Sequence, residues 1–167
     1  MSASSDSRLF DSALKAAKAL KLHITGEVEL APRQLRANRM LVKLASAKSF
    51  YFFAKVVLGF DRLTGQTHKR WCDDIQAKWR GRNLLRMKPR GTYKTTVYGE
   101  AFMLWIWATV SPEIRFFYTS ANDLLLKEIS THLDHYIGTD TDSLYHLVFG
   151  VKRDRTKKNA WDVFNIL

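Results

Sequence analysis

The chain has a single cysteine, Cys72, in 167 residues. That excludes an internal disulfide and a Cys-rich zinc site, and it fits a reducing, cytosolic setting. Long apolar runs are also missing. None approaches the ~18 residues that a membrane span needs, and Met1 to Asp6 is small and polar where a signal peptide would carry basic and then apolar residues. No internal repeat, low-complexity segment, Ser-His-Asp set or paired-carboxylate arrangement is recognisable. Acidic residues are absent between Glu29 and Asp61, while Arg33, Arg36, Arg39, Lys43, Lys48 and Lys55 fall inside that window. The stripe reads either as a solvated helix face or as a surface that contacts phosphates.

What is present is a globular composition. Apolar residues make up 46% and aromatics 13%, and the length suits one domain with a sizeable core. The balance of 27 Lys+Arg against 16 Asp+Glu gives +11. That charge suits a polyanionic partner such as nucleic acid, nucleotide phosphates or an acidic membrane face. A merely basic soluble protein is the alternative.

Periodicity organises the chain. Phe10, Ala13, Leu14, Ala17 and Leu20 recur at helical spacing, and Pro32 to Phe60 holds one or two helices carrying Leu41, Leu44, Phe53, Val56, Val57 and Phe60, with a stop at Gly59. Thr67 is placed to cap a helix that holds Trp71, Ile75 and Trp79 and closes at Gly81. Leu84 to Met87 is strand-like. Thr95 to Thr109 is helical and apolar on nearly every face, so it is expected to be buried. Ile114 to Thr119 is read as a second strand, and Ser120 to Asp123 as the capping box of a helix with Leu125, Ile129 and Leu133. Asp140 to Lys158 is read as loops with a short helix, and Trp161 to Leu167 as a third strand. This alternation after residue 83 predicts βαβ units with a parallel sheet.

The stretch RMKPRGTYKTT, Arg86 to Thr96, sits between the first strand and the apolar helix. A phosphate-binding loop needs backbone N–H groups at such a junction, a Lys to reach the β/γ-phosphates, and a following Ser/Thr to hold Mg²⁺. Lys94 and Thr95 meet the last two needs. Lys88 and Tyr93 stand at the two glycine positions of the usual frame, which leaves Gly91 as the loop's glycine. Tyr93 must then take a backbone shape compatible with a Cβ. A basic turn without nucleotide is the other reading.

KPRGTYKTT resembles the variant Walker A loop of the large terminase subunit of tailed bacteriophages. LTGQTHKRWCDDIQ, Leu63 to Gln76, resembles the segment ahead of that family's first strand, and IRFFYTSANDLLLKEIS resembles its second strand and next helix. The likeness runs from about residue 50 to residue 135. It implies an α/β fold in two parts: a helical basic region over 1–62, then the front part of a P-loop NTPase core over 63–167. It implies ATP and Mg²⁺ as ligands, with Gly91, Thr92, Tyr93, Lys94, Thr95 and Thr96 around the phosphates and Thr95 on the metal. Arg90 matches the family's loop arginine, which acts at the γ-phosphate, or else it contacts phosphate or DNA. His68 stands where many members carry an adenine-reading Gln, or it is only a first-turn helix residue. The implied partners are double-stranded DNA, a small terminase subunit and a portal or procapsid, with a homo-oligomeric ring and no membrane. The implied location is the bacterial host cytoplasm.

One requirement is not met. P-loop hydrolysis uses an apolar strand ending in Asp, with a residue to orient water. IRFFYTSAND lies too near the loop, and WDVFNIL ends with the chain. The expectation is therefore a chain that binds nucleotide and hydrolyses it poorly alone. Its other reading is a non-catalytic nucleic-acid-binding module. His132 and His135 share a helix face near Asp134 and His146, but no second cluster supports a metal there. The aromatic run Phe50 to Phe53, with Trp71 and Trp79, is read as core.

Overall fold

The computed structural model describes residues 3–81, 91–116, 123–138, 142–153 and 164–166. Arg90, the expected strand Leu84–Met87, the latter half of IRFFYT and the Ser120 cap lie outside these residues.

Two long helices open the chain. α1 (Ala3–Ile24) and α2 (Pro32–Lys48) pack side by side. They run antiparallel, because Lys48 near the end of α2 reaches Asp6 near the start of α1 at 2.5 Å. Small residues let them approach closely: Ala13, Ala16 and Ala17 of α1, and Ala45 and Ser46 of α2, are buried together with Leu20 and Val42. Leu14 and Leu44, two of the expected apolar positions, instead point outward at 54% and 50% exposure.

The chain turns a corner at Ser49. Pro32 at the first helical position pre-sets the start of α2, and Ser49 ends it in an extended conformation. The Ser49 hydroxyl then accepts from Phe52 N–H and caps α3 (Phe50–Phe52). One side chain from further along completes this corner. Gln76 Oε1 accepts from Phe50 N–H at 2.8 Å, and its Nε2 donates to Lys48 O at 3.0 Å. α3 continues as a wide π-type turn, Phe53–Val57, which stops short of Gly59 in the left-handed region.

α4 (His68–Lys78) follows Thr67 as expected, although the Thr67 side chain makes no capping bond. Its buried stripe is His68, Cys72 and Ile75. From Lys94 a second helix runs through a π turn, Thr96–Ala101, into α5 (Phe102–Thr109). Met103 to Trp107 are all buried, as the apolar pattern requires. α6 (Asp123–Ile137) contributes Ile129, Leu133 and Ile137 to the core. The short helix expected between Asp140 and Lys158 is α7 (Leu144–Phe149), capped by the Ser143 hydroxyl and closed by Gly150. Phe50, Phe52 and Phe53 are core, and residues on both sides of position 62 share that core.

The fold is a helical assembly, which corrects the expectation of an α/β P-loop core. Among the described residues there is no parallel sheet. The strands present are β1 (Val151–Arg153) and β2 (Phe164–Ile166), and they pair antiparallel, with Val151 opposite Ile166. Ile114 to Phe116 is not a strand. Trp107 Nε1 donates to Ile114 O at 2.8 Å, and the Phe116 ring lies edge-on to Trp107 and Phe102. That carbonyl is thus used by an indole and not by a ladder. The apolar α5 is buried by other helices instead of a sheet: Trp105 Nε1 donates to Ser46 O at 2.8 Å, and Tyr145 Oη donates to Leu104 O at 3.3 Å.

Candidate functional site

The turn ahead of the second helix has an unusual backbone. Gly91 has φ +72° and Tyr93 has φ +55°, and Tyr93 is the one non-glycine residue with positive φ among the described residues. Thr92 between them does not share that sign. Past Tyr93 the chain enters the right-handed helix at Lys94. Tyr93 does not take the backbone shape its Cβ favours: it adopts a left-handed shape that glycine takes readily. A left-handed L-residue costs roughly 1–2 kcal/mol, so the surroundings must hold it. Arg62 Nη1 donates to Tyr93 Oη at 2.7 Å, and the His68 ring meets the Tyr93 ring at 6.2 Å. The first helical bond runs from Val97 N–H to Tyr93 O, which puts Lys94, Thr95 and Thr96, all half-buried, in the open first turn where helices receive anions.

His68 positions this turn. Thr64 N–H lies 3.0 Å from its Nδ1. A backbone N–H only donates, so Nδ1 accepts and Nε2 carries the hydrogen. That hydrogen is donated to Thr92 O, 3.2 Å away. Both ring nitrogens are engaged by the protein's own backbone, and the residue is buried. The first turn of α4 thus fixes the peptide just before Tyr93.

Beside the turn lies a cleft of about 520 Å³, walled by the 59–63 loop, by Tyr93 and Thr96, and by the end of α6. Charged groups of both signs line it, Asp61, Arg62 and Glu100, and Glu100 among them is only 6% exposed and 3.3 Å from His132 Nδ1. Tyr136 forms another wall. Burial and then the Glu100 carboxylate push its hydroxyl up to about 12, so it remains a neutral donor, bonded to Leu58 O at 2.9 Å. Sequence reasoning missed Glu100. The signal was available, because it is the sole charged residue between Val97 and Val110, and an acid inside an otherwise apolar helix is rarely buried without a partner.

Among the described residues no three His, Cys, Asp or Glu side chains gather as metal ligands. The basic stripe is thinned by the fold. Lys48 pairs with Asp6, and Lys55 donates to Leu63 O at 2.7 Å. Arg33, Arg36 and Lys43 stay exposed and Arg39 half-buried, with exposed Met40 and Leu44 among them. Among the described residues no helix is long and apolar enough to cross a membrane. Comparison with protein-family models, curated proteins and solved structures found no match.

Proposed function

We propose that the chain binds the phosphates of ATP on the Gly91–Thr95 turn, as the nucleotide-binding part of a DNA-packaging motor of the terminase kind. The observation that carries this reading is the left-handed Tyr93 directly before Lys94, where a phosphate loop has its last glycine. The reading rests on this turn, the likeness of KPRGTYKTT and the basic surface.

Lys94 supplies a charge-assisted contact to the β/γ-phosphates, and backbone amides of the turn supply the rest. Thr95 is the residue that would hold Mg²⁺. Bound Mg²⁺ would neutralise phosphate charge. Arg33, Arg36, Arg39 and Lys43 on α2 offer duplex DNA a surface with no acid placed to neutralise them among the described residues. In this reading the complete motor, with its small subunit, portal or procapsid and ring of copies, works in the bacterial host cytoplasm. Those four arginine and lysine side chains also favour a second reading, a non-catalytic nucleic-acid-binding module whose turn holds backbone phosphate.

Paired substitutions separate the two. Lys94→Ala removes a contact of roughly 1.5–3 kcal/mol and should weaken Mg-ATP binding by about ten- to a hundredfold, with little effect on DNA. Lys43→Ala should leave ATP binding unchanged and make the salt dependence of DNA binding shallower. Calorimetry for ATP and a salt titration for DNA check both. Loss of DNA affinity with intact ATP affinity in Lys94→Ala would establish the second reading.

A further inference from the structure

The cleft beside the turn has a chemistry that phosphate binding does not use. We propose that it receives the nucleoside end of the nucleotide, with Glu100 accepting hydrogen bonds from two adjacent neutral donors on that end. This rests on the phosphate reading of the turn.

Three observations converge. Glu100 follows Lys94 by six residues, more than one turn along the helix. A group so far from the helix entrance does not meet an anion bound there, but it does meet a ligand that extends from that anion along the helix side. The charges also favour donors over phosphate: the Glu100 carboxylate, 6% exposed, and Asp61 line the cleft against one cation, Arg62, whose guanidinium is bonded to Tyr93 Oη. A carboxylate has about four lone-pair sites. Oε1 faces His132 Nδ1 at 3.3 Å, so the group has capacity for further donors from the cleft. Finally, the walls are aromatic. Phe60 and Tyr136 meet edge to face at 6.2 Å, and Tyr93 lines the side nearest the turn. An apolar cleft of about 520 Å³ with a few convergent polar groups has the size and character of a small-molecule site.

Two parts of a nucleoside carry adjacent neutral donors: the ribose diol and the guanine edge with its ring N–H and amino group. The probes are inorganic triphosphate, ATP, GTP and 2′,3′-dideoxyATP, each with Mg²⁺, titrated calorimetrically into the full chain and into Glu100→Gln and Lys94→Ala. Glu100→Gln should weaken binding of ATP or GTP about tenfold and leave triphosphate binding unchanged, which also shows that the variant folds. Lys94→Ala should weaken all four. Loss of affinity for the dideoxy nucleotide assigns the donors to the ribose, and a clear GTP advantage assigns them to the base. The proposal is overturned if Glu100→Gln binds ATP and GTP as tightly as the unaltered chain, or if it loses triphosphate affinity equally. A chain that binds no triphosphate at all overturns the phosphate reading and this inference with it.

Discussion

Two wide turns interrupt the helices of this protein, and they do different things. In Phe53–Val57 the distortion lies in dry core: Phe53 and Ala54 have no exposure, and the Phe53 ring meets Tyr145 and Phe149 at 5.9 and 5.7 Å. In Thr96–Ala101 the same distortion follows the strained turn and carries Glu100 to the wall of a cleft. Such turns are frequent at functional sites, yet the first carries no polar side chain except Lys55, whose ammonium is tied to Leu63 O. A distorted helix is therefore no functional mark by itself. A buried charge brought to an open wall is the feature that separates the two.

The largest test of this contrast is Phe53→Ala. Deleting a fully buried ring should cost about 3–5 kcal/mol, measured as a lower urea midpoint, while triphosphate binding by the protein that remains folded stays unchanged. A cost near zero would mean that packing does not maintain the first turn. Alkaline pH gives the next effect and samples both regions. Burial pushes the Cys72 thiol from 9.0 up to about 12, and burial with the Glu100 charge pushes Tyr136 from 10.0 up to about 12. Both groups are neutral in the fold and ionise more readily once unfolded. Their stabilisation is complete below the unfolded values and is lost as pH rises from 9 through 12. Urea unfolding across that window should show falling stability, and Tyr136→Phe should flatten its upper part. In the native protein below pH 9, the Cys72 thiol should alkylate far more slowly than in urea. The smallest effect isolates the Tyr93 backbone. Tyr93→Ala and Tyr93→Gly both lose the ring, so the glycine variant should be the more stable by about 1 kcal/mol. Equal stabilities would remove the strain from the account of the turn.

The sequence made some of this legible. Pro32 marks the start of α2, Gly59 lies where the chain turns left-handed, and the unbroken apolar run through Trp105 signals a buried helix. The sheet was misread because an alternating stretch such as Ile114–Phe116, with Arg115 between two apolar residues, satisfies a strand pattern equally well when an indole claims its carbonyl. Leu14 and Leu44 fit helical spacing but face outward, since Ala16 and Ser46 let the helices pack on the neighbouring stripe. The sign of φ at Tyr93 depends on tertiary surroundings, which no local pattern encodes.

Gln76 has a consequence for how the chain folds. Its amide completes the Ser49 corner from 26 residues away, so neither the last turn of α2 nor the first amide of α3 has its full set of partners until α4 has docked. The two halves of the corner should gain protection together and not in sequence. In hydrogen exchange the Phe50 amide should then open with α4 as one cooperative unit, which makes a single side chain the clasp between segments that could otherwise fray independently.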